Sequence, residues 1–236
     1  MKKRTSKQLA LILGAMGLAG CLMRYFLYRV GLDEKGLLTP MHPLGILTWV
    51  LTGAAVVLAL VCTWRQEKTC PALAVGTVPG IGSLILAAAL LLTGIGTRKA
   101  NGLLAASIPL CYAAAASMAG AAYAQFRGRR PFFLLRVIPC LFFAFYLIGS
   151  YQLTRGIPQM EDYVAPVCAI ILSMLLSYQQ AAWDLASTEG RQIRLAAGLT
   201  LYFGLISLSH SWMPVLCLGS SLWALTLLLS CQEERA

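Results

Sequence analysis

A chain of 236 residues in which 58% are hydrophobic and only 12% charged cannot cover a water-facing surface, since a soluble domain carries about 25% charged residues. Its mean hydropathy of +0.73 fits a surface that faces lipid. The formal charge of +10 is gathered into short clusters between apolar runs, KKRTSK at 2–7, RK at 98–99 and RGRR at 127–130; this pattern orients membrane helices and offers no basic helix face to nucleic acid.

A helix needs about 20 mostly apolar residues to cross the hydrocarbon core, and backbone in lipid must satisfy its own polar groups. Runs of that kind fall at 8–28, 44–64, 73–96, 103–126, 132–153, 163–185, 195–211 and 213–231. The expected fold is therefore an all-α, polytopic integral membrane helix bundle. It has about eight transmembrane helices in a single transmembrane domain over 1–236, or seven if the last two form one broken helix.

The first segment contains Leu18-Ala19-Gly20-Cys21, which matches a lipobox in four residues and follows a basic start and a short apolar run. The continuation LMRYFLY extends the apolar run, which favours an uncleaved helix over lipidation at Cys21. Gly14, Gly17 and Gly20 then form a close-packing face.

Met23 to Trp49 is the longest polar interruption. Arg24, Tyr25, Phe26, Tyr28 and Arg29 cluster at its start, where an aromatic belt with arginines at the lipid interface is the expected role. The alternative turns Arg24 inward, towards an anionic ligand or towards Asp33 or Glu34, because a buried arginine needs an anion. His42 lies between Pro40 and Pro43. Arg24, Asp33, Glu34 and His42 are the candidate outer recognition residues. Together with His210, Glu161 and Asp162 the acids and His42 could surround a metal, but no ligand spacing supports one, and no metal or cofactor is expected.

The third segment has Pro79-Gly80 in its first third, so it either starts there or kinks. The fourth is rich in small residues, with Ala116, Gly120 and Ala124 repeating every four, and reads as a central packing helix. Tyr112 and Tyr123 are placed to bridge from it to neighbours. In the sixth segment Ser173, Ser177, Gln180 and Asp184 share one helix face. Polar groups in hydrocarbon look inward to find partners, so this stripe is either a hydrogen-bonded seam or a polar path. Arg136, one turn inside the fifth segment at the same membrane side, is the expected partner of Asp184.

Leu195 to Cys231 holds 37 residues without a charge. As one helix it would run about 55 Å, far beyond a core of about 30 Å. The polar SHSWMP at 209–214 offers a turn, and Pro214 suits the first turn of a new helix. A hairpin of two helices is the preferred reading.

With the N-terminus inside, the inner loops carry 12 of the lysines and arginines and the outer loops 5. That bias places both termini in the cytoplasm, and the expected location is the cytoplasmic (inner) membrane of a bacterium. The eight cysteines include no C-x-x-C pair and behave as small packing residues. No protease, nucleotide or metal constellation appears, so no catalytic residue is named.

The functional expectation is a membrane transport or small-solute-binding subunit. It rests on the polar stripe and on prolines (Pro79, Pro139, Pro166, Pro214) that could interrupt helices, as transport sites often do. The alternative is a non-catalytic membrane partner or sensor that uses the outer loop 29–43. The expected partners are the lipid bilayer, a small solute and, in the alternative, another membrane protein.

Overall fold

The computed structural model describes residues 5–31, 42–64, 76–97, 102–154, 161–185, 189–210 and 213–230. Among them the chain forms eight α-helices: α1 Thr5–Val30, α2 Pro43–Trp64, α3 Thr77–Gly96, α4 Leu103–Phe126, α5 Leu134–Thr154, α6 Glu161–Asp184, α7 Gly190–Ile206 and α8 Pro214–Ser230. Seven are long and apolar enough to cross a membrane, and α8 is a shorter apolar helix of 17 residues. The fold is a polytopic all-helical bundle.

Successive helices alternate in direction, so one end of the bundle gathers the α4–α5 turn and the other the α7–α8 turn. Helices α3 to α8 close into a ring, each packed on its chain neighbours, with α8 returning to α3. Inside it Leu86, Leu90, Met118, Phe142, Phe143, Tyr146, Leu176 and Trp223 belong to one buried cluster. Outside the ring α1 lies along α7, and α2 leans on both. Leu9, Leu13, Ala55, Ala59, Tyr202 and Ile206 form the seam there.

The glycine face expected on α1 is the surface that meets α7. A Cβ at Gly17 would stand 3.0 Å from Leu205 Cβ and 3.3 Å from the Tyr202 carbonyl, and one at Gly20 2.8 Å from Ile206 Cδ1. Only a bare backbone lets these helices approach so closely.

Two helix junctions follow local chemistry. Helix α4 ends in a Schellman motif, with Arg129 N–H donating to the Ala124 carbonyl at 2.9 Å and Gly128 N–H to the Gln125 carbonyl at 3.1 Å. Gly128 supplies the left-handed φ of 69° that this motif needs. The 37-residue apolar run is a hairpin, as expected: α7 passes into a 3-10 turn at Ser207–His210, and Pro214 opens α8, where its missing N–H costs nothing.

Several expectations are corrected. Helix α4 is not the central one. It packs between α3 and α5, and the most buried span is α7, at 67%. The stripe Ala116, Gly120 and Ala124 is exposed or half-buried, while Cys111, Ala114, Ala115, Met118, Ala121, Ala122 and Gln125 face inward. Tyr112 does bridge, its ring lying 3.1 Å from where a Gly94 Cβ would stand. Tyr123 points outward under Arg127, 4.7 Å from its ring centroid. Helix α7 begins at Gly190 rather than 195, because Arg191, Gln192 and Arg194 are helical although they break the apolar run.

The prolines do not interrupt helices. Pro79 lies in the first turn of α3, where its absent N–H has no helical partner to lose. Pro139 and Pro166 sit inside continuous α5 and α6.

Candidate functional site

Two polar sites sit at opposite ends of the bundle, each built around a buried arginine. The first gathers at the end that holds the α4–α5 turn. Arg136 stands in the first turn of α5 with its side chain 2% exposed. Its Nη1 donates to Ser83 Oγ of α3 at 3.2 Å and approaches Met118 Sδ of α4 at 3.8 Å. The Ser83 hydroxyl donates in turn to Gln125 Oε1 of α4 at 2.9 Å. The backbone carbonyl of Arg136 accepts from the Ser177 hydroxyl of α6 at 2.7 Å. Its Nε lies 4.0 Å from Asp184 Oδ2, with the carboxylate side chain also buried. Arg130, in the α4–α5 turn, acts electrostatically on the same carboxylate.

The network ties four helices together. A guanidinium offers donors in a fixed fork, and here they reach three elements besides its own. The sequence pairing of Arg136 with Asp184 matches this geometry, and Ser177 joins it. Ser173 does not, because its hydroxyl is spent on the Ala169 carbonyl of its own helix at 2.7 Å. Gln180 is buried beside them on the α6 face, its Oε1 accepting no hydrogen bond among the described residues. Ser83 and Gln125 were missed in the sequence because each is a lone polar residue in an apolar run. Arg194, buried at 3%, was missed because its charge reads as loop.

The second site lies at the other end. Arg24 is 8% exposed, so the expectation that it snorkels at the lipid interface is corrected. Tyr28, one turn on, accepts from Arg24 Nη2 at 3.1 Å, and the guanidinium carbon stands 5.8 Å from the Tyr28 ring centroid. The turn of helix that separates them sets this pair, and α2 and α7 cover it. The neighbouring Arg29 and Tyr25 do form an exposed pair of the belt type, at 3.2 Å.

Arg24 borders a small half-open cleft of about 60 Å³. Helices α1 and α7 line it with Leu27, Tyr28, Phe203 and Ile206. Helix α2 adds Gly45, Thr48, Trp49 and Thr52, and α6 adds Val164 and Ala165. Thr48 donates to the Leu44 carbonyl at 2.7 Å, and Thr52 to the Thr48 carbonyl at 2.8 Å. Thr52 Oγ1 also stands 2.9 Å from the Tyr202 hydroxyl; since its one proton goes to Thr48, Tyr202 is the donor. Each threonine oxygen therefore keeps acceptor capacity.

His42 does not border this cleft. It caps α2, its carbonyl accepting from Gly45 N–H at 2.8 Å and its Nδ1 from Leu44 N–H at 3.3 Å. Asp33 and Glu34 lie outside the described residues. Comparison with family models, with curated protein sequences and with solved structures finds no match.

Proposed function

We propose that the protein binds a small solute within the bilayer and takes part in its transport across a bacterial cytoplasmic membrane. The observation that carries this reading is the cleft between α1, α2, α6 and α7, which a buried arginine borders. A cation held inside apolar surroundings marks a binding site by default, because so expensive a group is rarely kept for packing alone. At the opposite end Ser177, Gln180, Asp184 and Arg136 act as the closed half of the route, with Ser173 at mid-membrane continuing their face. Ion pair and hydrogen bonds hold that end shut. The inner-loop excess of lysine and arginine supports an orientation with this end towards the cytoplasm.

The test is native mass spectrometry of the protein purified in mild detergent, beside uptake of whatever small molecule it releases. A small molecule retained by the wild type and missing from Arg24→Gln supports the reading. Ser177→Leu and Asp184→Ala should then insert normally, still bind, and fail to move the solute. Empty wild-type protein, or the same adduct on Arg24→Gln, sinks it.

A further inference from the structure

We infer that Asp184 is a proton-binding site, and that a proton taken up there exchanges its partner from Arg136 to Gln180 and releases the closed end of the bundle. This rests on the reading of that end as the shut half of the route, and adds the ion that opens it.

The pair is built to be exchanged. Asp184 Oδ2 stands 4.0 Å from Arg136 Nε, outside hydrogen-bond distance, and accepts no hydrogen bond among the described residues. Its attraction to the guanidinium is one of charge and ends when the carboxylate is neutral. Gln180 lies one turn earlier on the same face of α6. It is 4% exposed, and its Oε1 likewise accepts no hydrogen bond among the described residues. Two buried acceptors a turn apart thus lack a donor, and one proton supplies it. A protonated Asp184 keeps an acceptor oxygen and gains an O–H for Gln180 Oε1. The proton comes from water, forms an O–H bond on Oδ2, and no electron is transferred. The site therefore has two satisfied forms, an anion held by Arg136 and an acid held by Gln180. A protonation switch needs a two-state element of this kind.

The surroundings balance the two forms. Burial works against the charge of the carboxylate, as does the negative end of the α6 dipole, while Arg136 and Arg130 work for it. Helix α7, which also packs on α6, brings the buried Arg194 and Arg191, paired with Glu189 at 3.9 Å. Helix α8 carries no charged residue, and His210 of the 3-10 turn lies at the far end, as do Glu161 and Asp162 on α6 itself. The proton's route is short. Asp184 is the last residue of α6, and Leu185 beside it is exposed.

The experiment is infrared difference spectroscopy of the full-length protein in mild detergent, labelled with carbon-13 aspartate. The pH is lowered from neutral while circular dichroism confirms the fold. The expected result is a labelled carboxylic-acid C=O band that grows on acidification, is lost in Asp184→Asn and remains in Asp162→Asn. Gln180→Leu should shift this band, because the O–H loses its acceptor. If Asp184→Asn does not fold, Asp33→Asn with Asp162→Asn leaves Asp184 as the one labelled carboxyl, and its band is read directly. Absence of an Asp184 band in the folded protein, or a band unmoved by Gln180→Leu, overturns the inference.

Opening is read at one fixed pH, with the native cysteines replaced by alanine. Asp184→Asn, which holds the site neutral, should speed the reaction of Ala121→Cys with a water-soluble maleimide several-fold. Ala121 is fully buried on α4, one turn from Gln125. Ala55→Cys, equally buried where α2 meets the α1–α7 seam, should stay slow. Faster reaction at both sites, or at neither, overturns the opening. The two proposals fail separately, since none of these measurements uses a solute. A titrating Asp184 in a protein that binds no solute would leave the proton site standing and remove the transport reading.

Discussion

A guanidinium carried into an apolar bundle must find acceptors, because the desolvation of its charge amounts to several kcal/mol. Arg136 finds them on α3 and α6, and its backbone carbonyl takes the Ser177 proton as well. The arrangement predicts an asymmetry between removing one partner and removing both. Arg136→Ala leaves Asp184, buried beside Gln180, without the guanidinium it pairs with and with only the weaker field of Arg130, and should cost about 3–5 kcal/mol. Arg136→Met with Asp184→Leu replaces the pair by apolar groups of similar size and should recover most of that loss. Thermal unfolding in detergent measures both, and a double variant as unstable as the single one would show that the ion pair is not what the end of the bundle depends on. Arg24 finds an acceptor in the Tyr28 hydroxyl and also borders the cleft. The same truncation there should change ligand response more than stability.

At the scale of the helix, the close approach of α1 to α7 depends on missing side chains. Gly17→Leu would drive a branched chain into Leu205 and the Tyr202 carbonyl, and overpacking of this kind costs about 1–3 kcal/mol or displaces the helix. Gly53→Ala on α2 meets nothing within 4 Å, so it should leave the Tm unchanged or raise it through better helix propensity. If the two behave alike, α1 is not seated on α7 in this way. The glycine face was legible in the sequence because Gly14, Gly17 and Gly20 recur at helical spacing in a run of large residues. The α7–α8 hairpin was legible because its uncharged length exceeds one membrane crossing. The face of α4 was not, since alanines surround that helix and small-residue spacing can be drawn on several sides. The rank of α7 was hidden for a different reason. It is the least apolar of the seven spans and the most buried, whereas α2 is the most apolar and the least buried, at 17%. Lipid demands greasy side chains of the helix that faces it. A helix enclosed by others can carry Arg194, Thr200 and Tyr202, but hydropathy alone does not rank the spans, since α3 is the second most apolar and also the second most buried, at 56%. By the same logic the Arg136 and Asp184 pairing could be guessed from their shared end, while Ser83 and Gln125 could not, because nothing in a sequence says which lone polar residues of α3 and α4 will face one another.

The whole molecule is a closed ring of six helices with α1 and α2 laid against its α7 side, and its two polar sites use the two ends differently. At the end with the α4–α5 turn four helices meet around Arg136, and Arg127, Arg129 and Arg130 are exposed. The other end holds the cleft. This asymmetry gives a proposed orientation a physical consequence. Exposed arginines resist transfer across the bilayer during insertion, so the α4–α5 turn should stay in the cytoplasm and the cleft should face outward. Cysteine labelling tests it in intact cells, with the eight native cysteines replaced by alanine. Arg129→Cys, on the exposed turn, should react with a membrane-impermeant maleimide only after the cells are opened. Thr97→Cys, at the end of α3 on the opposite side, should react before. The reverse pattern would place the cleft in the cytoplasmic half and turn the proposed route around, making the Arg136 end the outer gate. Labelling of both sites from outside would show that the two ends do not lie on opposite sides of a membrane, and the arrangement of cleft and closed end across the bilayer would fall with it.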